Sequence, residues 1–300
     1  MEYSNSAYGL WGLVIVNSLV FVLFAFIAQL IGTGLMAFRW VPEMGWEHGL
    51  YVSFFHAVSA FNNAGFSLFA NNLMDYRDDP VISLTIAALI ILGGIGFTVI
   101  VDLVRNRRWR KLKLHSKLML LMTPALLLLG TLMFWLLEHN NPGTLGKASF
   151  SGQWLAAFFQ STSARTAGFN SIDIGTLTHE SWALHYLLMF IGGGSAGTAG
   201  GVKISTAAIL ALLVVAEVRG RPDSEAFGRR VCQPAQRQAI TVLVLGSAVV
   251  VVATLAILRS TDLPTDQVIF EVVSAFGTVG LSTGITADLP PAAQGVLIAL

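Results

Sequence analysis

The chain has 300 residues, of which 54% are hydrophobic and only 12% charged, with a mean hydropathy of +0.69. A soluble domain carries about twice that charge, so this is the composition of a polytopic membrane protein. The formal net charge of +1 gives no reason to expect nucleic acid as a partner, and the single cysteine, Cys232, excludes an intrachain disulfide or a multi-cysteine metal site.

Long apolar runs cover residues 10–38, 81–104, 118–137 and 239–258, each sufficient for a span of roughly 20 residues. The N-terminus lacks a basic region, and its first apolar run is too long for a cleavable signal. A fifth run, 182–218, is too long for one simple span and is interrupted by glycines. A sixth begins at Pro291 and is expected to be cut short at Leu300. The histidines (48, 56, 115, 139, 179, 185) are scattered without metal-ligand spacing and read as ordinary surface or core residues.

Charge orients these runs. The link 105–117, "RNRRWRKLKLHSK", holds seven basic residues and no acid, and the link 216–237 holds five basic residues and three acids. The links 38–80, 138–180 and 259–290 hold five basic residues and twelve acids between them. By the positive-inside rule the first two face the cytoplasm and the other three face out.

Each outer link hides a short apolar stretch followed by a small-residue turn: "FFHAVSAFNNAGFS" (54–67), "AFFQSTSARTAGFN" (157–170) and "FEVVSAFGTVGLS" (270–282). They align without gaps on Gly65, Gly168 and Gly280, which are 103 and 112 residues apart. Asn63, Thr166 and Thr278 align two residues earlier, and the small pairs Ser59-Ala60, Thr162-Ser163 and Ser274-Ala275 align before them. The spacing predicts a repeated unit of span, re-entrant segment and span. Stretches of about ten residues are too short to cross a bilayer, and irregular backbone at membrane depth is tolerated only in protein or beside water. Three such turns predict a shared watery axis lined by backbone carbonyls, which replace a cation's hydration shell. Glycine at each centre permits the necessary backbone conformation, while the Asn or Thr can add oxygen or brace the turn. Thr278-Val279-Gly280 reads like the start of a potassium-channel filter. The candidate ion-binding residues are Asn62, Asn63, Ala64 and Gly65; Thr166, Ala167, Gly168 and Phe169; and Gly277, Thr278, Val279 and Gly280.

In the fifth run, "GGGSAGTAGG" (192–201) carries six glycines in ten residues. At about 1 kcal/mol per glycine relative to alanine, this block is expected to unwind the helix between flanks 182–191 and 202–218, although small residues also serve close helix packing. Gly192 to Gly197 matches a dinucleotide GxGxxG formally, but the preceding segment is a membrane run and no strand, so that reading is rejected.

With "FNNAGFSLF" (61–69), "SARTAGFNSIDIG" (163–175), "GGGSAGTAGGVKIST" (192–206) and "FGTVGLSTG" (276–284), the chain resembles the TrkH/KtrB membrane subunits of the Trk/Ktr/HKT superfamily of potassium transporters. The resemblance implies an all-α polytopic membrane fold with four span–pore-loop–span units around a pseudo-fourfold pore. Here it implies an incomplete set: 1–110 as the second unit, 111–220 as the third, with its broken second helix, and 221–300 as a truncated fourth, the first being absent. It implies potassium as the transported ion, no covalent cofactor, a homodimer in the bacterial inner membrane, and a nucleotide-binding cytoplasmic regulatory subunit. It also implies that Gly192, Gly193, Gly194, Ser195, Gly197, Thr198, Gly200, Gly201 and Lys203 form an intramembrane gate below the filter.

Lys203 is expected in the gate or as an electrostatic brake, or else reaching the cytoplasmic surface. Arg165, beside a turn that attracts cations, is expected to pair with Glu271 behind the filter, with a direct effect on conduction as the second reading. Asp75, Asp78 and Asp79 either concentrate cations at the mouth or form a solvated face. Gly93, Gly94 and Gly96 are expected to allow close packing, and link 105–117 could dock the regulatory subunit. No nucleophile, acid/base pair or metal cluster suggests an enzyme. A secondary transporter of another cation such as sodium, and a non-conducting remnant, remain the alternatives.

Overall fold

The computed structural model describes residues 3–300 apart from 196 and 222, with side chains from residue 18 onward. Helix α1 (Tyr3–Met44) is separated by Gly45 alone from α2 (Trp46–Phe61). After a link of 18 residues (62–79) come α3 (Pro80–Gly94) and α4 (Phe97–Arg105), then α5 (Leu114–Glu138), the short α6 (Phe150–Ser163), α7 (His179–Phe190) and α8 (Ile204–Val218). A two-stranded hairpin, β1 (Glu225–Ala226) and β2 (Arg229–Arg230), leads to α9 (Gln233–Leu258), α10 (Thr265–Phe276) and α11 (Pro291–Ala299). Three times, a long helix is followed by a short one that ends in a small-residue turn, as the alignment predicts.

Three helices among the described residues are long and apolar enough to cross a membrane: Ser18–Met44 within α1, Leu114–Glu138 and Gln233–Leu258. The second apolar run is not the straight span expected. It breaks into α3 and α4, bent by 85°, where Gly96 adopts a φ of 92° that only glycine accepts readily. The glycine-rich fifth run does unwind. The chain loops round so that Ile191 and Val202 pair as a parallel bridge, with Gly192 N–H donating to the Val202 carbonyl (2.9 Å) and Val202 N–H to that of Phe190 (3.0 Å), before α8 begins. Among the described residues no strand precedes this block, so the formal dinucleotide match has no βαβ setting; its Ala196 lies outside the described residues.

Side-chain caps start three of the helices, α3, α6 and α7. Asp79 accepts from the amides of Val81 and Ile82 (2.9 and 3.2 Å) ahead of Pro80; Ser149 and Thr178 do the same for α6 and α7. Glu138 is fully buried at the end of α5. Its carboxylate accepts from Asn141, Thr144 and both the amide and hydroxyl of Thr178 (2.5–2.9 Å), which ties the end of α5 to the start of α7. The apolar core follows the repeats but bridges them. The cluster around Trp40, Phe61 and Ile86 also holds Phe159, Ala167 and Phe169 from the second short helix and its turn.

Candidate functional site

The three turns meet. A Cβ on Gly65 would lie 2.6 Å from the Ala167 carbonyl oxygen and 2.9 Å from Gly168 Cα. A Cβ on Gly168 would collide with the Val279 carbonyl oxygen, and one on Gly280 would lie 4.0 Å from Gly168 Cα. The carbonyl preceding each of the later glycines is thus turned onto the glycine of the preceding turn.

Their backbones match. Gly65, Gly168 and Gly280 have φ of 71°, 78° and 86°, and Asn63, Thr166 and Thr278 have φ of 51°, 74° and 52°. A β-branched residue in this left-handed region is an outlier, so threonine holds a strained conformation at two aligned positions. The short helices α2, α6 and α10 end two or three residues before these outliers. Their C-terminal ends, each carrying about half a negative charge, therefore abut the turns.

Three serine hydroxyls, whose role the sequence alignment did not assign, hold the turns from behind. Ser59 donates to the Phe66 carbonyl (2.9 Å), Ser163 to that of Phe169, and Ser274 to that of Leu281 (2.6 Å). Each accepting carbonyl belongs to the residue after the central glycine. The signal was present as the aligned small-residue pairs. The Asn63 amide, with its nitrogen toward the carbonyls of Ala60 and Ile90 (3.2 and 3.3 Å), braces its turn.

The glycine-rich loop packs directly beneath. A Cβ on Gly200 would collide with Thr278 Oγ1 and lie 2.8 Å from the Gly277 carbonyl oxygen; one on Gly192 would lie 3.1 Å from the Thr166 methyl. Thr198 Oγ1 donates to the Phe61 carbonyl at the end of α2 (3.2 Å). On its other side the loop meets the bend after α3: Gly194 N–H donates to the Gly94 carbonyl (2.7 Å) and Thr198 N–H to that of Gly93 (3.3 Å). Gly197 packs against the same carbonyls. Ser195 and Ser205 hydroxyls bond each other (2.9 Å), Gly201 turns with a φ of 63°, and Lys203 Nζ donates to the Ala199 carbonyl of the loop itself. A Cβ on Gly93 would collide with the Phe61 carbonyl oxygen of α2 and lie 3.1 Å from Thr198 Oγ1, and one on Gly94 would lie 4.0 Å from the Ala199 methyl, so these two glycines do permit close packing, against α2 and this loop.

The expected pair between Arg165 and Glu271 does not form. Arg165 is buried and reaches the Thr123 carbonyl (3.5 Å), and among the described residues its Nε has no partner and no carboxylate lies at ion-pair distance. Glu271 points instead at the chain beyond Gly280. It accepts from the hydroxyls of Ser282, Thr283 and Thr286 and from Thr283 N–H, at 2.6–3.0 Å. Four neutral donors suffice for this carboxylate, which leaves no geometric role for the arginine.

The acids of the link between α2 and α3 are also engaged. Asp79 caps α3 and pairs with Arg39 (2.6 Å), Asp78 pairs with Arg77 (2.9 Å), and Asp75 accepts from Asn71 (2.6 Å). On the same link the Tyr76 hydroxyl is pushed up to about 12, by burial first and then by the Glu43 carboxylate to which it donates. Among the described residues no cluster of His, Cys, Asp and Glu could hold a metal ion.

Fold and site together define a membrane protein built of spans and short re-entrant helices whose turns converge on one locus. The chain belongs to the TrkH family, described as cation transport proteins, whose family model matches residues 8–300. It is 45% identical over 281 residues to the Ktr system potassium uptake protein B of Vibrio alginolyticus, covering 92% of this chain and 61% of that protein. It is 42% identical to the protein of the same name from Bacillus subtilis (94% and 63%), and 38% identical to the potassium/sodium uptake protein NtpJ of Enterococcus hirae (95% and 64%). These relatives are named as transport proteins, not enzymes. The chain thus spans about three fifths of the length of the curated relatives it matches. The crystal structure of the potassium transporter TrkH from Vibrio parahaemolyticus shares the fold, with a TM-score of 0.69 at 20% identity, over 90% of this chain and 58% of that one.

Proposed function

We propose that this chain is the ion-conducting part of a potassium uptake system. The observation that carries this reading is the convergence of Gly65, Gly168 and Gly280 with matched left-handed conformations at the glycine and two residues before it. A backbone that turns left-handed at alternate positions can bring successive carbonyls to one side, and a ring of carbonyls replaces the hydration shell of a cation without a counter-charge. Asn62 to Gly65, Thr166 to Phe169 and Gly277 to Gly280 form the filter in this reading, with the negative ends of α2, α6 and α10 adding to the attraction.

The loop from Gly192 to Lys203 is the gate. It lies in contact with Thr278 and Thr166, is tethered to Phe61, and is made of residues that can change conformation at little steric cost. Lys203, bonded to the loop carbonyl of Ala199, shapes the loop and places positive charge beside the path. The filter turns face outward and links 105–117 and 216–237 face the cytoplasm of the bacterial inner membrane. The units run 1–110, 111–220 and 221–300. The word "system" in the names of the Ktr relatives supports a partner subunit, here a cytoplasmic nucleotide-binding protein acting on a homodimer.

The test is growth at low potassium of cells that lack potassium uptake, after introduction of the gene with and without Gly168→Ser or Gly280→Ser. Rescue by the parent and failure or altered ion selectivity of the variants is expected. Growth indifferent to both substitutions would remove the filter assignment.

A further inference from the structure

Helix α4 leaves α3 at 85°. If α3 runs along the membrane normal, α4 lies close to the membrane plane. Its last turn exposes Leu103 and Val104 beside Arg105, as in a helix at the headgroup boundary. The chain then makes a 3-10 turn, Trp109–Lys111, in a stretch where Arg107, Arg108, Arg110 and Lys111 are all exposed. Among the described residues no carboxylate pairs with these four.

The second basic link folds back onto the first. The β1–β2 hairpin turns through Phe227 and Gly228, both at positive φ (53° and 71°). A phenylalanine in that conformation is strained, and such strain persists where the ring's placement is over-determined. The ring packs edge-on against Trp109, centroids 6.1 Å apart. Lys117 Nζ lies 5.5 Å from the Phe227 ring and 6.0 Å from that of Trp109, which fixes the pair from the protein side. Trp109 and Phe227 still expose 47% and 44% of their surface, beside exposed Arg229 and Arg230.

We infer that this surface binds anionic phospholipid headgroups. The four unpaired basic side chains meet the phosphates, and the two rings sit at the level where aromatic residues anchor to a bilayer. An acidic protein would use the charges but not an in-plane helix or two half-exposed rings, so the observations favour lipid. The inference rests on the proposed orientation only for which leaflet is engaged.

The experiment uses the full chain in vesicles of phosphatidylcholine with a minor fraction of phosphatidylglycerol, one or the other brominated on its acyl chains. The Trp109 signal is the difference between the parent and Trp109→Phe. Quenching by brominated phosphatidylglycerol beyond its bulk fraction is expected. It should fall to the bulk value in the variant carrying Arg107→Gln, Arg108→Gln, Arg110→Gln and Lys111→Gln, all exposed positions. Quenching at the bulk fraction in the parent, or excess quenching unchanged in that variant, overturns the inference and leaves the surface to a protein partner. Both leaflets carry the lipid and no ion flux is read, so failure here is separate from failure of the potassium-uptake reading.

Discussion

A Cβ on Gly168 would lie 3.2 Å from the Cα of Gly65, a residue 103 positions earlier in the chain. Such proximity between two left-handed glycines separates steric from conformational requirements at the site. At Gly168 both apply, because an added Cβ would also meet the Val279 carbonyl. At Gly280 only the conformation applies, since the nearest atom is 4.0 Å away. Forcing a side chain into the left-handed region costs about 1–2 kcal/mol. Gly168→Ala is therefore expected to abolish rubidium uptake in proteoliposomes, and Gly280→Ala to reduce it while leaving the protein assembled. Equal losses would show that space around the turn is not what distinguishes the two positions.

The separate settings of Arg165 and Glu271 predict a double-mutant cycle without coupling. Arg165→Gln and Glu271→Gln should change thermal stability additively, within about 0.5 kcal/mol. Glu271→Gln is expected to be the more damaging, since its amide can no longer accept from all four donors of Ser282, Thr283 and Thr286. A coupling free energy above about 1 kcal/mol would restore the ion pair expected from the sequence.

The bond from Thr198 to the Phe61 carbonyl tethers the glycine-rich loop to the end of α2. Thr198→Val keeps the shape and removes the donor, at a cost of about 1 kcal/mol to the tethered arrangement. If the tethered loop is the closed gate, open probability rises roughly five-fold for that energy. Single-channel or flux recordings of the reconstituted variant check the direction. A fall in flux would mean that the bond supports conduction instead.

What could be read from the sequence was what repeats or what a single residue type dictates. Three aligned glycines revealed the three matching turns, and six glycines in ten residues revealed the unwound loop, because glycine density acts locally. The bend between α3 and α4 left a trace in Gly93, Gly94 and Gly96, but the apolar run continues through it, and hydropathy carries no angle. The partner of Arg165 was misassigned for a different reason. Pairing opposite charges presumes that a buried carboxylate needs a cation, whereas hydroxyls and an amide within 15 residues of Glu271 satisfy it. Glu138 was passed over on the same ground: its donors are neutral residues of a link that no periodicity marks.

The serine ties give the last prediction. Ser59, Ser163 and Ser274 each donate to the carbonyl that follows a central glycine, so removing a hydroxyl frees a buried carbonyl to rotate. The orphaned acceptor costs about 1–3 kcal/mol, and that energy is released by distorting the turn. Ser274→Ala is therefore expected to lower the preference for rubidium over sodium in flux assays. Ser161 supplies the control. It is buried in α6 and donates to the Leu127 carbonyl of α5 at 3.0 Å, which joins two helices and touches no turn. Ser161→Ala should reduce melting temperature and leave ion discrimination unchanged. If the two variants lose stability and discrimination in the same proportion, the serine ties serve the fold at large and not the geometry of the turns.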